Sequence, residues 1–483
     1  MAIKTKGNKS KIKQYNFSWR KIKDKVLLTN EFGHYIILKN EEFKSFIDGK
    51  LSNKSKTWEE LQVRGFLNNY MDFGDLCQRW QKKNSFIYAG PGLHIFVVTL
   101  RCNHKCVYCQ SGAVGKEKNN MDMSWDMAKK SVNMAFSSTN KNITIEFQGG
   151  EPLLNWDVVK KTIEYARNKE KSGDKKLFLA IVTNFSKMDK EKADYLLKNE
   201  VSICTSLDGP EKLHNKNRIF HEGNSYKITK KWIKYFKDKH DAQKNEKYRI
   251  FKPSALLTVS RSSLNSFKEI IDEYVDSGFE SLFIRALSPI GYARAAWKTI
   301  GYNSAEFLDF YRKSLDYIIS LNKKGVKIKE KGAELLLRKI LKAEDPGFLD
   351  LRCPCGATIG QVAYNYNGEL YTCDEGRMVG WEGDRFFKIG DIEKSEYKDI
   401  INSSISKGCA ISSNLDNQPM CNRCAYKPWC GVCPVINYEL QKTPWGNMIS
   451  NYRCELYMGI FDYIFELLTK EKESEILKSW VEE

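Results

Sequence analysis

The sequence predicts an α/β chain built around an incomplete (β/α)6 TIM-type barrel, with a small N-terminal α+β module and a cysteine-rich C-terminal domain. Three observations predict it. Between residues 92 and 285, six β-like runs alternate with amphipathic helical patterns, which parallel strands need for their crossovers. Polar and cysteine residues stand just after those runs, where barrel loops assemble a site. The cysteines fall mainly into two groups, 102 to 109 and 353 to 454.

A chain of 483 residues is too long for one ordinary core. The expected boundaries are 1–90, 91–345 and 346–483. The start, MAIKTKGNKSKIKQYNF, carries lysines but no apolar stretch of a secretory signal. No apolar run approaches the roughly 20 residues that cross a bilayer. These features predict a cytoplasmic protein without a membrane partner. The net charge of +18 comes from lysines scattered through every segment, which disfavours a nucleic-acid partner. Fourteen cysteines in such a chain read as metal ligands rather than a disulfide scaffold. Cys77 and Cys204, outside the two groups, are expected to be buried small apolar residues.

After a lysine-rich tail to about residue 13, KVLLTN and HYIILK read as short strands around the turn Glu31-Phe32-Gly33. NEEFKSFIDGK follows as a helix, with Asn40 as N-cap and Gly49 as terminator. The six barrel strands are expected at Leu93–Val98, Ile143–Phe147, Phe178–Val182, Val201–Cys204, Ala255–Val259 and Leu282–Arg285. SWDMAKKSVNMAF, NWDVVKKTIEYARN and SFKEIIDEYVDSG are among the outer helices. Residues 304–345 and Met458–Trp480 carry helical periodicity.

Cys102, Cys106 and Cys109 follow the first strand in the spacing C-x-x-x-C-x-x-C. Three thiolates leave one position of a four-coordinate centre open, and an open position is a reaction site. A zinc knuckle is the alternative for the triplet alone. Gly149-Gly150-Glu151-Pro152 follows the second strand; the glycines would permit close backbone approach, and Glu151 could accept hydrogen bonds from a cationic amine. Farther on, Cys355 and Cys373 flank Gly368, with twelve residues before the glycine and four after it, a pattern for a hairpin that joins two thiolates. Cys421-x-x-Cys424-x5-Cys430-x-x-Cys433 and the lone Cys454 complete the second group, for which structural zinc is again the alternative.

The triplet, with Tyr108 before its third cysteine, together with GGEP one strand later, resembles the radical S-adenosylmethionine (SAM) enzymes. The second group resembles their SPASM extension. Two residues separate Cys430 and Cys433, where the common family pattern has three. The resemblance covers residues 92 to 460. It implies that a 4Fe–4S cluster on Cys102, Cys106 and Cys109 binds SAM, with Gly149, Gly150 and Glu151 at the methionyl amine. Tyr108 would lie near the adenine, Asn184, Ser206 and Asp208 along the ribose and methionine, and Arg218 at the SAM carboxylate. Two auxiliary 4Fe–4S clusters are implied, for three in all. The first would use Cys355, Cys373, Cys433 and Cys353, with Cys409 or an open iron in place of Cys353 as alternatives; the second would use Cys421, Cys424, Cys430 and Cys454. Asp374 occupies a place where some relatives have a general base.

Members of this class mostly modify ribosomally made peptides or proteins. The stretch Gly360–Met378 and LLTNEFGHYIILKNEEF are similar to the His-Xaa-Ser system radical SAM maturases, which pair with a second radical SAM maturase. The N-terminal module resembles the peptide-recognition modules found beside such enzymes; an extension packed on the barrel is the other reading. The implied activity is hydrogen abstraction from a precursor peptide or protein, giving a cross-link or oxidation, with electrons from a donor such as flavodoxin or ferredoxin. The alternatives are a sulfatase maturase that makes formylglycine, and a basic zinc-binding nucleic-acid module.

Overall fold

The computed structural model describes residues 14–68, 72–243 and 247–482, so the tail before residue 14 lies outside the described residues. The N-terminal module is an antiparallel sheet of β1 (Ser18–Ile22), β2 (Lys25–Thr29) and β3 (Tyr35–Lys39), followed by α1 (Asn40–Ile47), α2 (Lys56–Val63) and α3 (Phe73–Lys83). β1 was not evident in the sequence pattern, because SWRKI mixes charge with only two apolar residues. Lys39, not Asn40, is the N-cap of α1. The Asn40 amide instead donates to Asp24 O at 2.9 Å, and Glu42 accepts the Lys39 N–H at 2.9 Å.

The module rests on the C-terminal region. Arg20 forms a two-pronged pair with Asp462 at 2.6 Å on each arm, Thr29 donates to Ala425 O at 2.8 Å, and Tyr35 meets Phe465 edge-on at 5.3 Å. A planar guanidinium fork suits that carboxylate.

The barrel strands are β4 (Leu93–Thr99), β5 (Asn142–Gly149), β6 (Lys176–Val182), β7 (Val201–Ser206), β8 (Ser254–Thr258) and β9 (Ile284–Arg285). They lie side by side in chain order, and every neighbouring pair is parallel. The last predicted strand is split: Ser281–Leu282 pairs with Lys329–Glu330, and only Ile284–Arg285 joins β8. The outer helices are α4 (Trp125–Phe136), α5 (Trp156–Lys171), α6 (Lys190–Lys198), α7 (Ser225–Asp241) and α8 (Phe267–Asp276). Ser124, Asp189 and Asn224 start three of them by accepting otherwise unpaired N–H groups. Residues 304–345 hold α9 (Ser304–Asn322) and shorter helical turns.

The sheet does not stop at β4. β10 (Gln361–Tyr364) pairs with it in parallel, and β11 (Glu369–Tyr371) and β12 (Lys388–Asp391) extend it to nine strands. The β10–β11 turn passes through Gly368 at φ +85°, a conformation that suits glycine. The cysteine-rich region is thereby anchored to the barrel wall. It continues through α10 (Asp374–Trp381), α11 (Ser404–Ser413) and α12 (Pro434–Gln441) to α13 (Tyr452–Leu468) and α14 (Glu471–Ser479). The predicted Met458–Trp480 helix is thus two helices broken at Thr469, and α13 packs against α9 and β1. Among the described residues, no helix is long and apolar enough to cross a membrane.

Candidate active site

Alternation along the barrel strands defines a lumen. On β5, Ile143, Ile145 and Phe147 are buried under the helices, while Thr144, Glu146 and Gln148 keep accessible surface on the other face. On β7 the corresponding residues are Ser202, Cys204 and Ser206, so Cys204 is half-buried on the lumen side rather than a core residue. Cys77 is exposed, also against expectation, because the amphipathic face of α3 buries Leu76 instead. Glu146 accepts from the Gln148 amide, and enclosure raises its pKa; nearby Asp374 pushes the same way, while Arg285 opposes. Glu146 and Arg285 were missed in the sequence, although the polar parity of ITIEFQG carried the signal for the first.

The cysteine triplet leaves β4 at the lumen rim and is clipped on both sides. Arg101 clamps Asp122 at 2.8 and 2.6 Å and donates to Leu154 O at 2.9 Å. Lys105–Cys106 pairs antiparallel with Arg218–Ile219, which puts Arg218 opposite Cys106. The His104 N–H points at Cys102 Sγ at 3.4 Å, and Cys109 Sγ lies 3.3 Å from Ser111 Oγ. His104 itself is neutral: burial, then the charge of Arg218, lowers its pKa to about 3, and it stacks on Phe220 at 4.5 Å. Burial pushes Cys106 up to about 11 against the pull of Arg218. Cys102 is pushed higher, first by burial and then by Cys106. Thiols so placed ionise when a cationic centre compensates them.

Two observations bear on whether this loop fits an iron–sulfur cluster with a ligand. Asn103 Nδ2 is buried without a hydrogen-bond partner among the described residues, while its Oδ1 accepts from Asn184 Nδ2 at 3.3 Å and Ser186 Oγ at 2.9 Å. A buried orphan donor beside three thiols is costly unless a ligand supplies an acceptor. Among the described residues, no group of three or more His, Cys, Asp or Glu converges tightly enough for a single metal ion. Three thiols on one loop beside that orphan donor have the chemistry to hold an iron–sulfur cluster with a ligand.

Gly149 and Gly150 lie close against the chain's own backbone. A Cβ on Gly149 would stand 2.0 Å from Thr99 O, and one on Gly150 2.2 Å from Arg101 O. The closeness lets Gly150 N–H reach Thr99 O at 2.9 Å and Glu151 N–H reach Arg101 O at 2.8 Å, which fixes the stem of the cysteine loop. Glu151 is 0% exposed and accepts from Thr183 Oγ1 at 2.7 Å, Asn184 N at 2.8 Å and Leu153 N at 3.0 Å. Its carboxylate therefore holds Asn184 in place, and the Asn184 amide reaches to 3.8 Å from Cys102 Sγ.

Tyr108, Asp208 and Arg218 form one buried chain. The Tyr108 hydroxyl donates to Asp208 at 2.7 Å and accepts from Arg218 Nη1 at 2.9 Å. Asp208 is 0% exposed and engaged by Tyr108, while Ser206 faces the lumen. Burial raises the pKa of Asp208, and Arg218 offsets it.

The second cysteine region separates into two groups. Cys355, Cys373, Cys409 and Cys433 pack in one buried cluster with Ile95 and Val97 of β4. Ser413 Oγ accepts from Cys355 N at 2.8 Å and donates to Cys409 O at 2.6 Å, binding α11 across this group. Cys409 is 2% exposed and pushed up to about 12 by burial and then by Cys433. Cys353, expected as the fourth member, turns elsewhere: Leu415 N–H points at its Sγ at 3.3 Å, and it packs with Cys421, Cys430 and Cys454. One cavity is lined by all four of Cys421, Cys424, Cys430 and Cys454. Asp374 is paired with the almost fully buried Arg377 at 2.8 Å, and Arg377 reaches Ser111 O at 2.9 Å, linking α10 to the triplet loop. Its neighbour Glu375 is pushed up to about 7 by burial and by Asp350 and Asp374.

Residues 96–242 match the radical SAM superfamily. Those residues carry a radical SAM domain. It is 24% identical over 376 residues to a cysteine-type anaerobic sulfatase-maturating enzyme of Clostridium novyi, covering 76% of this chain and 93% of the relative. The fold matches native anSMEcpe with bound AdoMet at a TM-score of 0.62 and 19% identity, over 79% of this chain and 98% of the other. It also matches Streptococcus suis SuiB bound to its precursor peptide SuiA at a TM-score of 0.54 and 15% identity, over 92% and 100%.

Proposed function

We propose that the chain binds SAM at the Cys102, Cys106 and Cys109 loop and modifies a ribosomally made peptide or protein held in the barrel lumen. One observation carries the reading. β4 ends in the three-thiol loop and pairs with β10, whose hairpin ends at Cys373, so a single sheet ties the triplet to the second sulfur group. The similarity to a sulfatase-maturating enzyme and to a protein bound to a precursor peptide supports a polypeptide substrate.

When bound, SAM and a reduced 4Fe–4S cluster would supply the chemistry of a 5′-deoxyadenosyl radical, hydrogen-atom abstraction from the substrate. The chain's own residues do the positioning. Cys102, Cys106 and Cys109 would hold three irons. Asn103 and Asn184 offer amide groups, and Arg218 a permanently charged fork with N–H groups to spare beyond Tyr108. Ser206 faces the ribose side, while Gly149, Gly150 and Glu151 act from behind by fixing the loop. Tyr108 and Asp208 hold Arg218 in place. Glu146, Cys204 and Arg285 would line the substrate.

Two auxiliary 4Fe–4S clusters are assigned to Cys355, Cys373, Cys409 and Cys433, and to Cys421, Cys424, Cys430 and Cys454, making three clusters. Cys409→Ala is expected to change the paramagnetic signal of one auxiliary cluster, and Cys353→Ala to leave that signal intact; the reverse would return Cys353 to the first group. Asp374 would take a substrate proton only on release from Arg377, so Asp374→Asn is expected to slow turnover more than SAM cleavage. A flavodoxin or ferredoxin is the proposed electron donor, and a second radical SAM maturase a proposed partner.

The sequence similarity to the Clostridium novyi enzyme favours a second reading, formylglycine formation on a sulfatase. The test is anaerobic turnover with deuterated precursor peptide or with a deuterated sulfatase-derived peptide. Deuterium in 5′-deoxyadenosine from one of them identifies the substrate class. Deoxyadenosine formed without label from either would contradict a polypeptide substrate.

A further inference from the structure

A buried guanidinium stands between the two auxiliary cysteine groups. Arg453, on the first turn of α13 beside Cys454, lines the cavity formed by Cys421, Cys424, Cys430 and Cys454, which Cys433 of the other group also borders. It lines, too, the neighbouring cavity at the barrel end with Arg285, Ser288 and Asp350. Its side chain is only 17% exposed. Nη2 donates to Asp350 O at 3.1 Å and approaches Tyr457 Oη at 3.4 Å, and the guanidinium lies 4.8 Å from the Tyr457 ring centre. The Asp350 carboxylate is 3.7 Å away.

Nε is different: it is buried and has no hydrogen-bond partner among the described residues. A guanidinium has five N–H donors, and one sealed from water without an acceptor is expensive. The chain packs tightly around it. Gly431, between Cys430 and Cys433, lies so close to the Asp350–Arg352 backbone that a Cβ there would be 2.6 Å from Asp350 O. The turn joining the two cysteine groups, Asp350 and Arg453 therefore meet at one junction. The missing acceptor fits the sulfur atoms that a bound cluster would bring.

We propose that Arg453 is a positioning residue shared by the two auxiliary clusters, donating its Nε–H to cluster sulfur and raising the one-electron reduction potentials of both. The inference rests on the auxiliary-cluster assignment above. Adding an electron makes a thiolate-ligated cluster more negative by one charge, and both a nearby cation and N–H···S bonds stabilise that form. Asp350 partly offsets the cation, so the two residues set the potentials in opposite directions.

The test is a paramagnetic-resonance-monitored redox titration of anaerobically reconstituted protein, with iron counted per chain. Arg453→Gln is expected to keep the wild-type iron content and shift the auxiliary potentials negative, while Arg453→Lys restores most of the shift by keeping the charge. Asp350→Asn, which leaves the guanidinium in place, is expected to shift them positive, and it serves as the reading if Arg453→Gln does not fold. Iron-replete Arg453→Gln or Asp350→Asn with unshifted potentials would overturn the inference. So would loss of auxiliary iron from both Arg453→Gln and Arg453→Lys, which marks a purely structural role. Wild-type protein with about four irons instead of about twelve would overturn the auxiliary-cluster reading itself, a distinct result.

Discussion

Replacing Cys106 and Cys109 together with alanine is expected to reduce reductive SAM cleavage to background while the protein stays folded. The loop does not depend on those thiols for its shape. Arg101 clamps its stem through Asp122 and Leu154, and backbone pairing of Cys106 with Arg218 and of Val107 with Asn217 survives the change. Iron should fall from about twelve to about eight per chain, because the auxiliary groups draw on other cysteines. Retained cleavage in the reconstituted double variant would show that the radical is not generated here. Loss of all iron would mean that the three sites form cooperatively.

Gly150→Ala should disable the same site from behind. The new methyl would meet Arg101 O at 2.2 Å, Arg101 C at 2.6 Å and Leu100 O at 2.7 Å, all backbone atoms that have no rotamer to change. Relief requires β5 to draw away from the loop stem. That movement breaks the bonds from Gly150 to Thr99 and from Glu151 to Arg101, and it shifts Cys102 and Asn184 together. The expected cost is about 2–4 kcal/mol in stability. SAM affinity should fall by at least about tenfold, which corresponds to only about 1.4 kcal/mol. Gly408→Ala is the control: it lies in α11 with nothing within 4 Å, and stability should hold or rise slightly. Equal SAM binding in Gly150→Ala and wild type would refute the role given to this contact.

The barrel was legible because its strands combine β-branched runs with helical spacers, signals that survive without tertiary knowledge. The triplet and the Gly368 hairpin were legible for a similar reason, since their chemistry is local. What the glycines of GGEP approach was not legible, because the partner backbone belongs to another strand. The bond between Tyr108 and Asp208 was not legible either, because its partners stand 100 positions apart in the chain. The approach of Cys409 to Cys355 depends on α11 folding back through Ser413, which no spacing rule announces. Arg453 was invisible for the opposite reason: beside Cys454 it reads as one more basic residue, and only its unpaired, buried Nε sets it apart.

The proposed function depends on a SAM-binding iron–sulfur cluster at Cys102, Cys106 and Cys109. The most direct measurement is iron and zinc content, with the paramagnetic spectrum of reduced, anaerobically reconstituted protein before and after SAM is added. About twelve irons per chain and a reduced signal that changes with SAM are the predicted result. Zinc without iron, or a signal indifferent to SAM, would contradict it.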